Sequence, residues 1–297
     1  MWLISHASGT IGRAVVQAAS KRGHRVRALV LDPSHAAGVG PEAEIVVAGV
    51  ADTAAHERAF ENVEAAVLTA PLGSDFVPWH RALATAAAAA GLKRLVQMSG
   101  QGADLNSPTR ILRWLGDAEA QALNAGLHPT VLRPSLYMQM LFKHIPEMSS
   151  CGVIEAPFRS ARWALVDARD VADVAVERLE SGAKPSVREL TGPQALDYFE
   201  IARVVSKVTG RRIQYVDVCS PKARGRLEAR RVSPRLIEAL IEYWDFQAAS
   251  PSGPRITQEI ENILGRPPRK FAEFVKDYRE EFGGSCIGAM AWLLRRR

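Results

Sequence analysis

Short apolar runs alternate with longer stretches whose apolar residues recur at three- and four-residue spacing through residues 1–134. The first spacing suits strands buried on both faces and the second suits crossover helices, so the rhythm predicts a parallel sheet. MWLIS (1–5) reads as the first strand. IGRAVVQAASKRG reads as the first helix, with Ile11, Val15, Ala18 and Ala19 toward the sheet and Gly23 as its stop. HRVRALVLD, AEIVVAG, AAVLTAP, KRLVQMSG and HPTVLRP supply five further strands. TAAHERAFENV, FVPWHRALATAAAAAGL and DAEAQALNAGL fall between them as helices. The last places Asp117 and Glu119 near a helix start, where their charge suits the dipole.

After Pro134 the rhythm breaks. RELTGP and RIQYVDV read as strands around the helix FEIARVVSKVTG, and residues 221–284 read as mostly helical. The expected architecture is Rossmann-like α/β: a parallel sheet with helices on both faces, plus a smaller mixed or helical C-terminal substrate region. Its expected parts are a nucleotide core over 1–134 with 164–192 packing back on it, a substrate side over 135–163 and 193–284, and a tail over 285–297.

Composition changes this picture little. The 297 residues are 47% hydrophobic and 24% charged, the profile of a globular domain. A net charge of +6 raises the question of nucleic acid, but the arginines are scattered along helical faces, and no nucleic-acid partner is expected. No apolar run approaches the roughly 18 residues of a membrane span, and the N-terminus lacks a basic region before its apolar residues, so neither span nor signal peptide is expected. Three scattered cysteines without metal spacing suggest reduced thiols, a cytoplasmic location and no metal site.

The chemistry concentrates in ISHASGTIGRAVV (4–16), a strand running through a Gly-rich turn into a helix. Such a turn needs one glycine for its tight bend, one for close approach to a pyrophosphate and one for helix–strand packing. Gly9 and Gly12 fill the second and third roles, Ser8 and Thr10 add hydroxyls, and the helix N-terminus faces the anion. His6 stands where the first glycine belongs. Two readings stay open: the cofactor is retained around it, or His6 enters the cleft as an acid–base group.

SHASGTIG, AGLHPTVLRPSLYMQ (125–139), ALVDARDVADVA (164–175), ELTGPQALDYFEIARVVSKVTGRRIQYVDV (189–218) and ILGRPPRKFAEFVKDYREEF (263–282) together resemble the NmrA-like atypical short-chain dehydrogenases/reductases. The resemblance covers nearly the whole chain. It implies NADP or NAD as cofactor, with Ser8, Gly9, Thr10, Ile11 and Gly12 at phosphate. It puts Leu31 and Asp32 by the ribose, Thr69, Ala70 and Pro71 along the cofactor, Ser99 near the nicotinamide, and Pro134 to Tyr137 facing the reacting ring.

Four departures are expected to line one groove. They are His6; Leu31, where the family often carries Arg for a 2′-phosphate; Val50, where it has Asp; and Met140, where it has Asn. The Ser-Tyr-Lys set of the better-known short-chain reductases is also absent: residues 101–126 hold no Tyr, Lys or His. Hydride transfer to a quinone or another conjugated acceptor needs less of a dedicated acid, because the product anion is delocalised.

The candidate catalytic residues are therefore Ser99, Tyr137, His6 and His80. Tyr137, Met138, Met140 and Phe142 read either as an apolar lining for a flat substrate, with His144 and Trp163 closing it, or equally as plain core packing. Asp167 and Asp170 read as helix caps. Three functions are weighed: an NAD(P)H-dependent reductase of a conjugated or aromatic small molecule, a cofactor-independent cyclase, isomerase or dehydratase, and a nucleotide-sensing regulator. The expected partner is a flat, apolar small molecule, and a homodimer is compatible with the sequence.

Overall fold

Strand β1 (Trp2–Ile4) is buried along its whole length, with Trp2 and Ile4 on one side of the sheet and Leu3 on the other. The same holds for β4 (Ala65–Leu68) and most of β2 (Val26–Val30), β5 (Arg94–Met98) and β6 (Thr130–Pro134). With β3 (Glu44–Val47) and β8 (Ser186–Leu190) they form one sheet in the order β3-β2-β1-β4-β5-β6-β8, and every pairing is parallel. A computed structural model describes residues 1–249 and 254–283. The expected tail over 285–297 lies outside the described residues.

Crossover helices cover both faces. Helices α1 (Thr10–Lys21) and α6 (Ala168–Glu180) pack together on one face, through Val15, Val16, Val171 and Ala175. Helices α2 (Thr53–Phe60), α3 (Phe76–Ala89) and α4 (Arg110–Asn124) cover the other, through Phe60, Trp79, Leu83 and Ala122. Helix α4 begins well before the expected DAEAQALNAGL segment, because Ile111 and Leu112 already pack inward on its first turn. Asp117 therefore lies at its midpoint and Glu119 in its second half, not near its start.

A second core lies beyond Pro134. It combines a 3₁₀ turn over Met138–His144, α5 (Ile145–Cys151), β7 (Val153–Ala156), α7 (Tyr198–Thr209), β9 (Gln214–Asp217), α11 (Phe271–Asp277) and α12 (Arg279–Gly283). β7 and β9 pair in parallel as a separate two-stranded sheet. Helices α8 (Ser220–Ala229) and α9 (Pro234–Ala249) pack on each other through Ala223, Ile237 and Ile241. Helix α10 (Glu259–Leu264) returns to the large sheet, where Ile260 joins the core shared by α1 and α6.

The two aspartates read as caps divide their labour. Asp167 caps α6, accepting from the Arg169 amide at 2.9 Å, and also accepts from Gln139 at 2.8 Å. Asp170 is fully buried and instead ties down the C-terminal segment. It accepts from the Arg266 guanidinium and the Arg269 amide, both at 2.8 Å, and from the Arg269 guanidinium. Asp170→Ala removes the buried acceptor and leaves Arg266 and Arg269 with Asp173, at 2.6 and 3.8 Å. It is expected to cost about 2–3 kcal/mol, less than for a fully buried pair because Asp173 remains and both arginines reach water. A thermal melt within a degree of the unaltered protein would show that the tether contributes nothing.

Candidate functional site

Reversal of strand order between β1 and β4 opens a crevice at the strands' C-terminal ends, where ligands bind in sheets of this kind. Two loops flank it: residues 5–9 after β1 and residues 69–75 after β4. A buried pair locks them together. The Ser5 hydroxyl donates to the Thr69 carbonyl at 2.7 Å and accepts from the Thr69 amide at 2.8 Å. The Trp79 indole adds a 3.3 Å bond to the same carbonyl.

The glycines of the turn act at different places. A Cβ at Gly12 would fall against the His6 carbonyl and 2.8 Å from the Ala7 Cα, so this glycine sets how closely α1 approaches β1. A Cβ at Gly9 would lie 2.5 Å from His6 Nε2, so the imidazole itself occupies the space over that glycine. His6 sits at φ 44°, in the left-handed region. The position demands what a glycine adopts freely, and histidine holds it at a cost of order 1 kcal/mol. Burial, with His35 and Arg13 adding repulsion, lowers the His6 pKa to about 4, so the ring is neutral at neutral pH. Its Nδ1 is buried without a hydrogen-bond partner.

This turn fits a dinucleotide pyrophosphate. Helix α1 has no side-chain cap and no acidic residue in its first turn, so its leading N–H groups remain for an anion. His6 narrows the approach without adding charge. His6→Gly is expected to tighten NADPH binding by about 3- to 10-fold, on the order of 1 kcal/mol. Calorimetric titration of both proteins checks this, and equal affinities would show that the ring is no obstruction.

From the turn a cavity of about 1320 Å³ runs to the second core. His6, Thr10, Ile11, Thr69, Ala70 and Pro71 line its near end. Ser99, Pro134 and Tyr137 line its middle, and His144 and Trp163 its far wall. Ser8, Gly9 and Gly12 sit in the adjoining backbone turn. Asp32 is exposed and caps the 33–38 turn, accepting from the Ser34 amide at 2.8 Å, and it does not line the cavity.

Three expectations need correction. Of the four departures expected in one groove, only His6 and Met140 line the cavity; Leu31 and Val50 pack at the edge of the core under α2 and α3. Residues 138–148 coil, so Met140, Lys143, His144 and Glu147 face the cavity while Met138 and Phe142 turn into the second core. His80 does not reach the cavity at all. It is 1% exposed on α3 beside Phe76, both ring nitrogens lack partners, and burial lowers its pKa to about 4.

Around Ser99 the structure holds a group that the sequence reading misassigned. Glu119, on α4, accepts from the Ser99 hydroxyl and binds Arg133 in a fork at 2.8 and 2.7 Å. The Ser99 proton is thus committed to a carboxylate, which leaves the oxygen's two lone pairs as acceptors on a residue that lines the cavity. Arg133 in the LRP motif was the available signal, because a partly buried arginine on a central strand requires an acid. Tyr137 offers the nearby hydroxyl, and burial pushes its pKa upward, keeping it neutral and able to donate. Among the described residues no group of acids, histidines or cysteines could hold a metal, and no helix is long and apolar enough to cross a membrane.

Comparison with known proteins agrees with this geometry. Residues 7–181 match a family model described as NAD(P)H-binding. An NAD(P)H azoreductase of Xenophilus azovorans is 31% identical over 292 residues, covering 96% of this chain and 100% of the relative. The structure superposes on the NADPH-dependent quinone oxidoreductase of Escherichia coli, solved with NADPH, at a TM-score of 0.80 and 23% identity over 94% of this chain and 99% of that one. It also superposes on the negative transcriptional regulator NmrA at 0.75 and 19% identity, covering 96% and 99%. The chain is a member of the NAD(P)H-binding family, and its cofactor is NADP or NAD.

Proposed function

We propose that this chain is an NAD(P)H-dependent reductase of a conjugated, aromatic small molecule. The observation that carries the reading is one continuous cavity joining the Gly-rich turn at the α1 N-terminus to an aromatic wall. The azoreductase relative, which acts on NAD(P)H by name, supports it.

The Ser8–Gly12 turn and the α1 N-terminus would hold the pyrophosphate, and Thr69 to Pro71 would run beside the cofactor. Bound there, the cofactor supplies hydride. Phe158 and Trp163, in edge contact at 5.3 Å, give a flat acceptor an apolar face, and Met140 closes over it. Tyr137 donates a hydrogen bond to the acceptor's electron-rich atom. The Ser99 oxygen, its proton held by Glu119, accepts from the ligand. Neither is a strong acid, and His6, with a pKa near 4, is unprotonated at neutral pH. Protonation therefore falls to water, which suffices when the product anion is delocalised, and a simple ketone is a poor substrate.

Titration calorimetry with NADPH and NADH is the first test. Micromolar binding corresponds to about −8 kcal/mol. Acceptor-dependent oxidation of the bound cofactor, with an azo dye or a quinone, completes it. No heat at millimolar nucleotide, from protein shown to be folded, overturns the reading.

The orphan Nδ1 of His6 is the observation that favours cofactor-independent acid–base chemistry. Its low pKa makes it a weak base, so turnover without nucleotide that His6→Ala abolishes is the result needed to prefer that reading.

A further inference from the structure

The far wall of the cavity carries charge that hydride transfer does not use. Two helical faces meet there. The run from the 3₁₀ turn into α5 presents Lys143, His144 and Glu147, and the end of α8 presents Arg226 and Arg230. Most of this charge is already matched. Arg230 pairs with Glu147 at 2.7 Å, and Arg226 pairs with Glu155, which Lys222 also approaches at 3.4 Å. The Arg230 guanidinium further donates to the Lys143 carbonyl at 3.4 Å, fixing the two helices together.

Lys143 is the exception. Its ammonium has no acidic or hydrogen-bonding partner among the described residues, although it stands on the cavity wall. The cations converge on one spot: Arg230, Lys143 and Arg226 each add to burial in lowering the pKa of the single His144 imidazole. A cationic pole facing an apolar cavity attracts an anion, and a charge-assisted bond formed there is strong.

We propose that this pole is an anion-binding end of the substrate site: the conjugated substrate carries an oxyanion group that pairs with Lys143 while its flat body lies along Met140, Phe158 and Trp163. Carboxylate, sulfonate and phosphate share the chemistry required. The inference rests on the reductase reading for the identity of the site, and it adds the charge class of the substrate. The arrangement also fixes orientation. With its anion at Lys143, an elongated molecule extends toward Tyr137 and Ser99, so the reducible bond lies away from the charged group.

The test is calorimetric binding, without nucleotide, of azobenzene-4-carboxylate and its uncharged methyl ester. At low salt the acid is expected to bind about tenfold more tightly, a difference of about 1.4 kcal/mol. The advantage should shrink as ionic strength rises, as for a charge pair open to solvent. Lys143→Met should bring the acid-to-ester ratio close to one, and Lys143→Glu should invert it. Lys21→Met, on the far end of α1, should leave the ratio as it was. Azobenzene sulfonate and phosphate analogues then rank the oxyanions.

Equal binding of acid and ester, no binding of the acid at millimolar concentration, or a ratio that survives Lys143→Met overturns the proposal. The outcome is separable from that of the reductase reading. Protein that discriminates the acid but never oxidises NAD(P)H sinks the reductase alone. Protein that reduces dyes without charge discrimination sinks the anion site alone.

Discussion

Acidification from about pH 6.5 to pH 4 is expected to remove about 3 kcal/mol of folding stability through His80 alone. Burial depresses its folded-state pKa from 6.5 to about 4, because a charged imidazole has no partner on α3. The folded state thus prefers the neutral ring, and the unfolded chain takes the proton first. Stability from this residue is whole above pH 6.5, falls as pH drops through the window, and is fully lost below about 4. His144 and His6 carry depressions to about 4 of the same sign and add to the slope. Urea melts of the unaltered protein and His80→Leu at a series of pH values isolate the term, since the carboxylates are common to both. The leucine fills the space beside Phe76 and removes two unsatisfied nitrogens, so it should match or exceed the parent at pH 7 and diverge upward below 6.5. Parallel pH profiles would show that His80 protonates without penalty.

Gly12→Ala is expected to lower nucleotide affinity by at least about 100-fold, close to 3 kcal/mol. The added methyl meets only backbone: the His6 carbonyl, and the Ala7 Cα and carbonyl carbon at 2.8 and 3.0 Å. Backbone of a buried strand end yields little, so α1 must lift away and carry its N-terminal N–H groups off the pyrophosphate. Overpacking of this kind also costs about 1–3 kcal/mol in stability. Gly49→Ala is the matched control, because no atom lies within 4 Å of the added methyl. Calorimetry and thermal melts of the two variants decide the matter. Unchanged affinity in Gly12→Ala would mean that the turn does not hold the phosphates.

The sheet was legible because its strands are buried on both faces, and continuous apolar runs such as AAVLTAP have few other interpretations. The Gly-rich turn between β1 and α1 was legible because Gly12 has a fixed steric job, the close approach of helix to strand; its hold on phosphate is what Gly12→Ala tests. The cavity wall was harder. In SLYMQMLFKHIPEM the aromatic and methionine residues suit lining and core packing equally, and only the coil of 138–148 sorts them, sending Met138 and Phe142 into the core and bringing Met140, Lys143 and Glu147 to the cavity. The 140, 143, 144, 147 spacing held that information, but only for a segment already known to be helical. Glu119 was misplaced for a related reason. Reading α4 as starting at Asp117 put its acids at a helix terminus, and only the true start at Arg110 turns Glu119 toward Ser99 and Arg133. His80 shows the opposite failure. A histidine just beyond a central strand suggests chemistry, and nothing local reveals that α3 rotates it into the core.

The position of α6 has a consequence for synthesis on the ribosome. Six of the seven sheet strands lie before residue 135, yet the helix that completes the cover beside α1 spans Ala168–Glu180, and the last strand follows it. A nascent chain that has just released β6 therefore presents Val67, Val96 and Leu132 on a face without α6, and an open β6 edge besides. Some fifty more residues must emerge before both are covered, about 3–10 s at ordinary translation rates. That interval, and not the finished molecule, is when this protein has most need of a chaperone.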